Sequence, residues 1–358
     1  MHRTVFLPVL SVLFSVLATS TLARAQAPGV PVYPEARPAG SLDGITKKAN
    51  ELREAGALLP LEKVKDQMGR TTCELTLPPA STKKLENREL WKLSRQAHLR
   101  VGWHYLCKKC NNWHLNLAGG YAITQDAIVT CGHVLENDNI REGYLIAVDE
   151  DDHVFPVTEV LAANRATDTA IIRVKERTLH PLPLTLDVMP GDRVFCFSEP
   201  KGRRGYFSEG IVNRFTQKPF RNTMRTPTPD KALDGSIRAK VQPGTGGAAA
   251  APGAATTGAP ATPAPSQAQV PAPAARSAAA APSADDPIWA QVSSSWAPGS
   301  SGSAVLDERG NAIGHVSQIQ TVYQDPKEGG AQGTLMVLHD AITAQNVLKL
   351  IKGKPRTE

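Results

Sequence analysis

The chain has 358 residues, 41% of them apolar and 21% charged, and a formal net charge of +6. That length accommodates one large domain or two ordinary ones with a sizeable core. Lys and Arg are dispersed rather than stacked on one face, which argues against a nucleic-acid partner and for a solvated surface of mixed charge.

The N terminus reads as a secretory signal. His2 and Arg3 form a basic start, residues 5–18 are apolar, and Ala23-Arg24-Ala25 gives a small-x-small cleavage site before Gln26. The apolar run is shorter than the roughly 20 residues of a spanning helix. No second long run follows, so no stable membrane insertion is expected. Residues 1–25 are therefore assigned to the signal, and the mature chain is expected to be periplasmic or secreted. Removal of Arg3 and Arg24 would leave a formal charge of +4.

Residues 26–98 form the next segment. Pro, Ala and Gly in residues 26–40 predict an extended tether. Ile45 and Leu52 predict a helix over 41–55 that Gly56 ends, and Leu90, Leu93 and Ala97 predict another over 85–97. No chemical motif occurs in this segment.

From Leu99 onward the pattern changes to short strands between turns: 99–106, 114–124, 127–130, 144–148, 153–162, 170–174, 193–198 and 205–214. Such spacing without long intervening helices predicts an all-β barrel or sandwich. Residues 226–286 interrupt it. Within them, 243–284 hold one charge, Arg276, and one large aliphatic, Val270, among Ala, Pro, Gly, Ser and Thr. A stretch of that composition buries too little to offset its ordering entropy and is predicted to be disordered. Ordered character resumes over 287–352, with strands near 312–322 and 335–338 and a closing helix over 344–351. Residues 353–358 are a tail.

Three phrases carry chemistry. Gly299-Ser300-Ser301-Gly302-Ser303-Ala304 sets a serine in a turn flanked by glycines, where backbone N–H groups can converge on a developing oxyanion. Ala127-Ile128-Val129-Thr130-Cys131-Gly132-His133 ends a β-rich run in a histidine. Asp168-Thr169-Ala170-Ile171 sets an acid before an apolar strand. Each alone is an ordinary turn or strand cap. A serine hydroxyl needs a base and the base an orienting group, so the three together form a candidate nucleophilic set in the order His, Asp, Ser.

These phrases resemble the trypsin-like serine peptidases of the chymotrypsin fold, and most closely the compact bacterial HtrA-type catalytic domains. Thr130-Cys131-Gly132-His133 is similar to the family's T-A-A-H, Asp168-Thr169-Ala170-Ile171 to its D-I-A-L, and residues 299–304 to its G-[DN]-S-G-[GS]-[PA]. The resemblance spans about 99–351 without the insert, so the domain is read as 99–225 and 287–352. No PDZ-like segment follows.

The resemblance implies two packed antiparallel six-stranded β-barrels, with the helices outside them. It implies Ser301 as nucleophile, His133 as general base and acid, Asp168 as the orienting carboxylate, and the N–H groups of Gly299 and Ser301 as the oxyanion hole. Position matching puts Ser295 at the base of the specificity pocket, with Ser317, Gln318 and Ile319 along a wall. No acid occurs there, which points to small or apolar side chains. The implied partner is a protein or peptide substrate, and no cofactor or catalytic metal is called for. The alternative is a catalytically silent trypsin-like fold serving as an envelope binding module. The presence of all three side chains argues against it.

Five cysteines remain: Cys73, Cys107, Cys110, Cys131 and Cys196. Cys107-Lys108-Lys109-Cys110 with His114 admits zinc, with Cys73 or Cys131 as fourth ligand, or a disulfide, local or to one of those two. Export and the absence of a second paired motif favour the disulfide. Cys196 reads as a small buried hydrophobe. His98, His104, His153, His180, His315 and His339 have no motif around them and read as structural.

Overall fold

The computed structural model describes residues 42–220, 283, 286–323 and 334–352. The signal segment, the tether, residues 226–282 of the insert and the tail from residue 353 lie outside the described residues.

Two closed six-stranded antiparallel barrels make up the body of the chain. The first is built from β3 (His98–Cys107), β4 (Trp113–Ala122), β5 (Ala127–Thr130), β6 (Ile140–Val148), β7 (Val154–Asn164) and β8 (Thr169–Val174). Its order is β6-β3-β4-β5-β8-β7, and pairing of β6 with β7 closes it. The second uses β9 (Arg193–Ser198), β10 (Tyr206–Gln217), β11 (Ile288–Val292), β12 (Ala304–Asp307), β13 (Ala312–Tyr323) and β14 (Thr334–Thr343), in the closed order β10-β11-β14-β13-β12-β9.

Neighbouring side chains on a strand point to opposite faces, and the barrels use both. On β8, Ile172 joins the interior of the first barrel with Val101, Trp103 and Leu145. Ile171 joins a separate cluster with Val129, Phe195, Leu306 and Ala312, which come from both barrels. On β9 the division repeats: Val194 and Cys196 fill the second barrel, while Phe195 faces the contact between barrels. The strands that flank the contact are therefore apolar on both faces, which explains their continuous hydrophobic runs.

The N-terminal region is packed onto this body. α1 (Asp43–Glu54) buries Ile45 and Ala49 against Ile146 and Val148. α3 (Asn87–Ala97) opens with a capping box between Glu86 and Glu89 and buries Leu90 and Ala97 in the cluster between barrels. It runs directly into β3.

Three short elements escaped the sequence reading. They are β1 (Leu59–Pro60), which pairs with β6; α2 (Leu61–Gln67); and β2 (Cys73–Glu74), which pairs in parallel with β15 (Ile351–Lys352). The closing helix α4 is correspondingly short, Ala344–Leu348, because the chain then turns to form β15.

Candidate active site

His133 and Asp168 are held by the first barrel, Ser301 by the second. After β5 the chain enters a 3-10 turn, Gly132–Leu135, that carries His133. Asp168 closes the turn between β7 and β8 with φ of 47°, a left-handed conformation that Asp tolerates better than most residues. Its side chain is fully buried. One carboxylate oxygen, Oδ1, accepts the His133 backbone N–H at 3.0 Å. His133 Nδ1 lies 2.9 Å from both carboxylate oxygens, and the Ser317 hydroxyl donates to Oδ2 at 2.5 Å.

Burial alone would raise the Asp168 pKa. The hydrogen bond and charge of His133 and the Ser317 hydroxyl outweigh it and leave the carboxyl below its ordinary value. Behind the pair, buried His315 places Nε2 3.2 Å from the Asp168 carbonyl oxygen, and burial lowers its own pKa. Nδ1 of His133 is thus committed to a carboxylate, which leaves Nε2 as the nitrogen available to a substrate or nucleophile.

Ser301 lies in the turn between β11 and β12, and that turn is fastened to both barrels. Gly119 N–H donates to Ser301 O at 2.7 Å, and Gly302 N–H donates to Val316 O at 2.7 Å. Gly302 has φ of +86°, and a Cβ there would lie 2.2 Å from Gly119 O, so only glycine fits. Ser300, Gly302 and Ser303 direct their N–H groups to Ala297 O, Val316 O and Ser300 O. Those of Gly299 and Ser301 donate to no described backbone carbonyl. Gly299 itself has φ of +102°. Among the described residues these two N–H groups thus have no backbone partner, and an oxyanion hole is built from donors of that kind. The Ser300 side chain, in the place of an acid or amide, bonds the buried Ser198 hydroxyl at 3.1 Å.

Ser301 and His133 both line each of two cavities. Among the described residues no hydrogen bond joins the Ser301 hydroxyl to His133, so the contact that would activate it is not closed. Catalytic hydrogen bonds of unliganded sites are often long and tighten with substrate.

One cavity, of about 130 Å³, is lined by Phe220, Trp296, Ala297, Pro298, Val316, Ser317, Gln318 and Ile319 besides the two site residues. Ser317, Gln318 and Ile319 line this cavity beside Ser301. Ser295 does not line it: the residue is exposed and its carbonyl accepts from the Ser208 hydroxyl. Its neighbour Trp296 turns inward instead, with Nε1 bonded to Gln318 O at 3.2 Å. Beyond the end of β11, residues 293–296 alternate between exposed and buried, so a one-residue offset exchanges inside for outside. Phe220, which sequence reasoning missed, stacks on His133 with ring centroids 6.5 Å apart and on Trp289 at 6.2 Å. It follows β10 at the edge of the biased insert, where no periodic signal marks it.

All five cysteines are free in this structure, which does not show the disulfide expected at Cys107 and Cys110. Cys131 is buried and its Sγ–H bonds Val316 O at 3.1 Å. Burial, then the Asp168 charge, keeps that thiol protonated. Cys196 is buried within the second barrel, and burial pushes its pKa up to about 12. Cys73 pairs through its backbone with Ile351. None of these three is set to bridge Cys107 or Cys110.

Among protein families, the trypsin-like peptidase domain matches residues 118–252. The match begins in β4, takes in His133 and Asp168, and stops before Ser301. No curated protein matches the chain.

Proposed function

We propose that the chain, whose residues 118–252 match the trypsin-like peptidase domain and whose strands form a chymotrypsin-like double barrel, is a serine endopeptidase working through His133, Asp168 and Ser301. The observation that carries this reading is the His133–Asp168 hydrogen bond beside a cavity that His133 and Ser301 line together.

In the mechanism, rotation of the Ser301 side chain brings Oγ to His133 Nε2. The imidazole takes the hydroxyl proton as Oγ attacks the scissile carbonyl, and Asp168 stabilises the imidazolium while fixing its tautomer. The N–H groups of Gly299 and Ser301 bond the oxyanion. His133 then gives its proton to the leaving amine. The acyl-enzyme is hydrolysed when His133 draws a proton from water and returns it to Ser301. The cavity beside Ser301 offers aromatic and aliphatic walls and no carboxylate, which supports cleavage after small or apolar side chains. The signal-like start and the Ala23-Arg24-Ala25 site support action outside the cytoplasm, and the mature protein is expected to begin at Gln26.

An active-site-directed fluorophosphonate tests the assignment. It should label Ser301, and Ser301→Ala should abolish labelling and lower kcat by about 10⁴–10⁶-fold. Labelling of the Ala variant at the wild-type rate would refute it. The alternative, a silent binding module, predicts no labelling of the wild-type protein.

A further inference from the structure

The tip of the β3–β4 hairpin carries a second chemical cluster, on the first barrel and outside the triad. Cys107 Sγ, Cys110 Sγ and a ring nitrogen of His114 lie within 4.8 Å of one another, and Cys110 Sγ is 2.9 Å from His114 Nε2. The turn between the cysteines directs backbone N–H groups at the Cys107 sulfur, that of Lys109 from 3.4 Å. Backbone N–H donors aimed at a sulfur suit a thiolate ligand.

The turn is held in shape around that sulfur. Cys107 N–H donates to Asn112 O at 2.9 Å and Asn111 N–H to Cys107 O at 3.1 Å. Asn111 takes a φ of 57° to close it, a left-handed conformation that Asn accepts more readily than most side chains.

We propose that Cys107, Cys110 and His114 bind a zinc ion, with water from solvent completing a tetrahedral shell. Two thiolates and an imidazole match the ligand preferences of zinc among the common divalent ions. Cys110 and His114 are exposed, so the ion enters from solvent and the fourth position opens outward. Each thiol releases its proton to solvent as its sulfur–zinc bond forms. The Cys131 thiol is bonded to Val316 O, and neither Cys73 nor Cys131 falls within the Cys107–Cys110–His114 cluster, so neither supplies a fourth ligand.

The ion would brace one wall of the wider cavity beside Ser301, which measures about 520 Å³. Lys108, between the two cysteines, donates its N–H to Asn139 O at 2.8 Å and its Nζ to Asp138 O at 3.0 Å. Tyr105 lies 5.6 Å from the His114 ring. Tyr105, Asp138 and Asn139 all line that cavity.

The test uses the full mature chain, reduced and stripped with chelator, titrated with zinc chloride against a chromophoric competitor. One equivalent should bind with Kd below about 1 μM, and Cys110→Ser and His114→Ala should each weaken it by about 100-fold or more. Cobalt(II) in place of zinc should give thiolate-to-metal charge-transfer absorption that Cys107→Ser removes and Cys73→Ser keeps. His114 is exposed, so His114→Ala carries the test if a cysteine variant fails to fold. Three outcomes would each overturn the proposal: no binding to the wild-type protein, wild-type affinity in His114→Ala, or loss of two titratable thiols to a disulfide in air with one equivalent of zinc present. None of these readouts depends on peptidase activity.

Discussion

Asp168 shows how a single buried carboxylate is kept charged. Its oxygens accept from the His133 backbone, the His133 ring and the Ser317 hydroxyl, and the balance leaves its pKa depressed despite full burial. A carboxyl depressed in the folded state contributes stability above its unfolded pKa and loses it as pH falls through the folded value. Ser317 therefore serves Asp168 as well as the cavity wall. A hydrogen bond to a charged group contributes about 1.5–3 kcal/mol, and about 1.4 kcal/mol corresponds to tenfold in rate. Ser317→Ala is expected to lower kcat ten- to hundredfold for every substrate side chain alike, and to move the acid loss of stability to higher pH. Steady-state kinetics over a peptide series checks this. An altered side-chain preference with kcat unchanged would assign Ser317 to the cavity wall alone.

At the scale of elements, the strands were legible because β-branched and apolar runs ended at turn residues. The predicted 127–130 and 193–198 coincide with β5 and β9, and the residues after those strands lie at the barrel contact. What escaped the sequence has physical reasons. α2 is seven residues with only Leu61 and Val64 buried, too short for a periodic signal. β2 and β15 exist only because two distant segments meet, and β10 runs on to Gln217 because β11, far along the chain, pairs with it. The proposed catalytic residues were read from three phrases, whereas Trp296, Phe220 and the commitment of Ser317 to Asp168 depend on which way side chains turn once the barrels close.

The same distance in sequence hid an ionic bridge between elements. The β6–β7 turn and β3 of the first barrel meet the β9–β10 connection of the second through Arg100, Arg204, Glu150, Asp152 and Glu199. Arg204 reaches Glu150 O at 2.7 Å and Asp152 Oδ2 at 3.1 Å. Arg100 reaches Asp149 O and Asp152 Oδ1 at 2.6 Å each. Burial, then the charge of Glu199, pushes the Glu150 pKa up to about 7 against the two guanidinium groups. Burial, then Arg100, pulls neighbouring His98 down to about 3.

These two shifts have opposite consequences. The raised carboxyl contributes stability that is present below its unfolded pKa and lost as pH rises through 7. The depressed imidazole loses stability as pH falls below its unfolded value near 6.5. Folding in effect keeps the proton on Glu150 rather than on His98, and the two slopes offset each other between pH 5 and 6.5. Glu150→Gln removes one of them. Its Tm should fall more steeply than that of wild type as pH is lowered from 7 to 5, when both are followed by thermal melts. Parallel curves for the two proteins would reject this pairing of shifts.

The whole molecule joins two closed barrels through a contact that also holds the cleft, and its longest connection is attached at one edge. Gln217 pairs with Ile288 in the β10–β11 ladder, so the 70 residues between them leave and re-enter at adjacent points. The ends of that connection are engaged: Gln217 Nε2 donates to Ser283 O at 2.9 Å, and Ser283 N–H donates to Asp286 Oδ2 at 2.7 Å. The ladder, not the connection, sets the geometry of this edge. The composition of residues 243–282 predicts disorder; closing such a loop costs entropy that grows only with the logarithm of its length, so removing them should stabilise the fold by about 0.8 kcal/mol. For a body of this size that corresponds to a rise of about 2 °C in Tm. Fluorophosphonate labelling should proceed at the wild-type rate, because the described residues that line the cavities beside Ser301 all lie outside 243–282. A fall in Tm of about 5 °C or more, measured by calorimetry on the deleted chain, would show that the connection packs against the barrels and contributes to their stability.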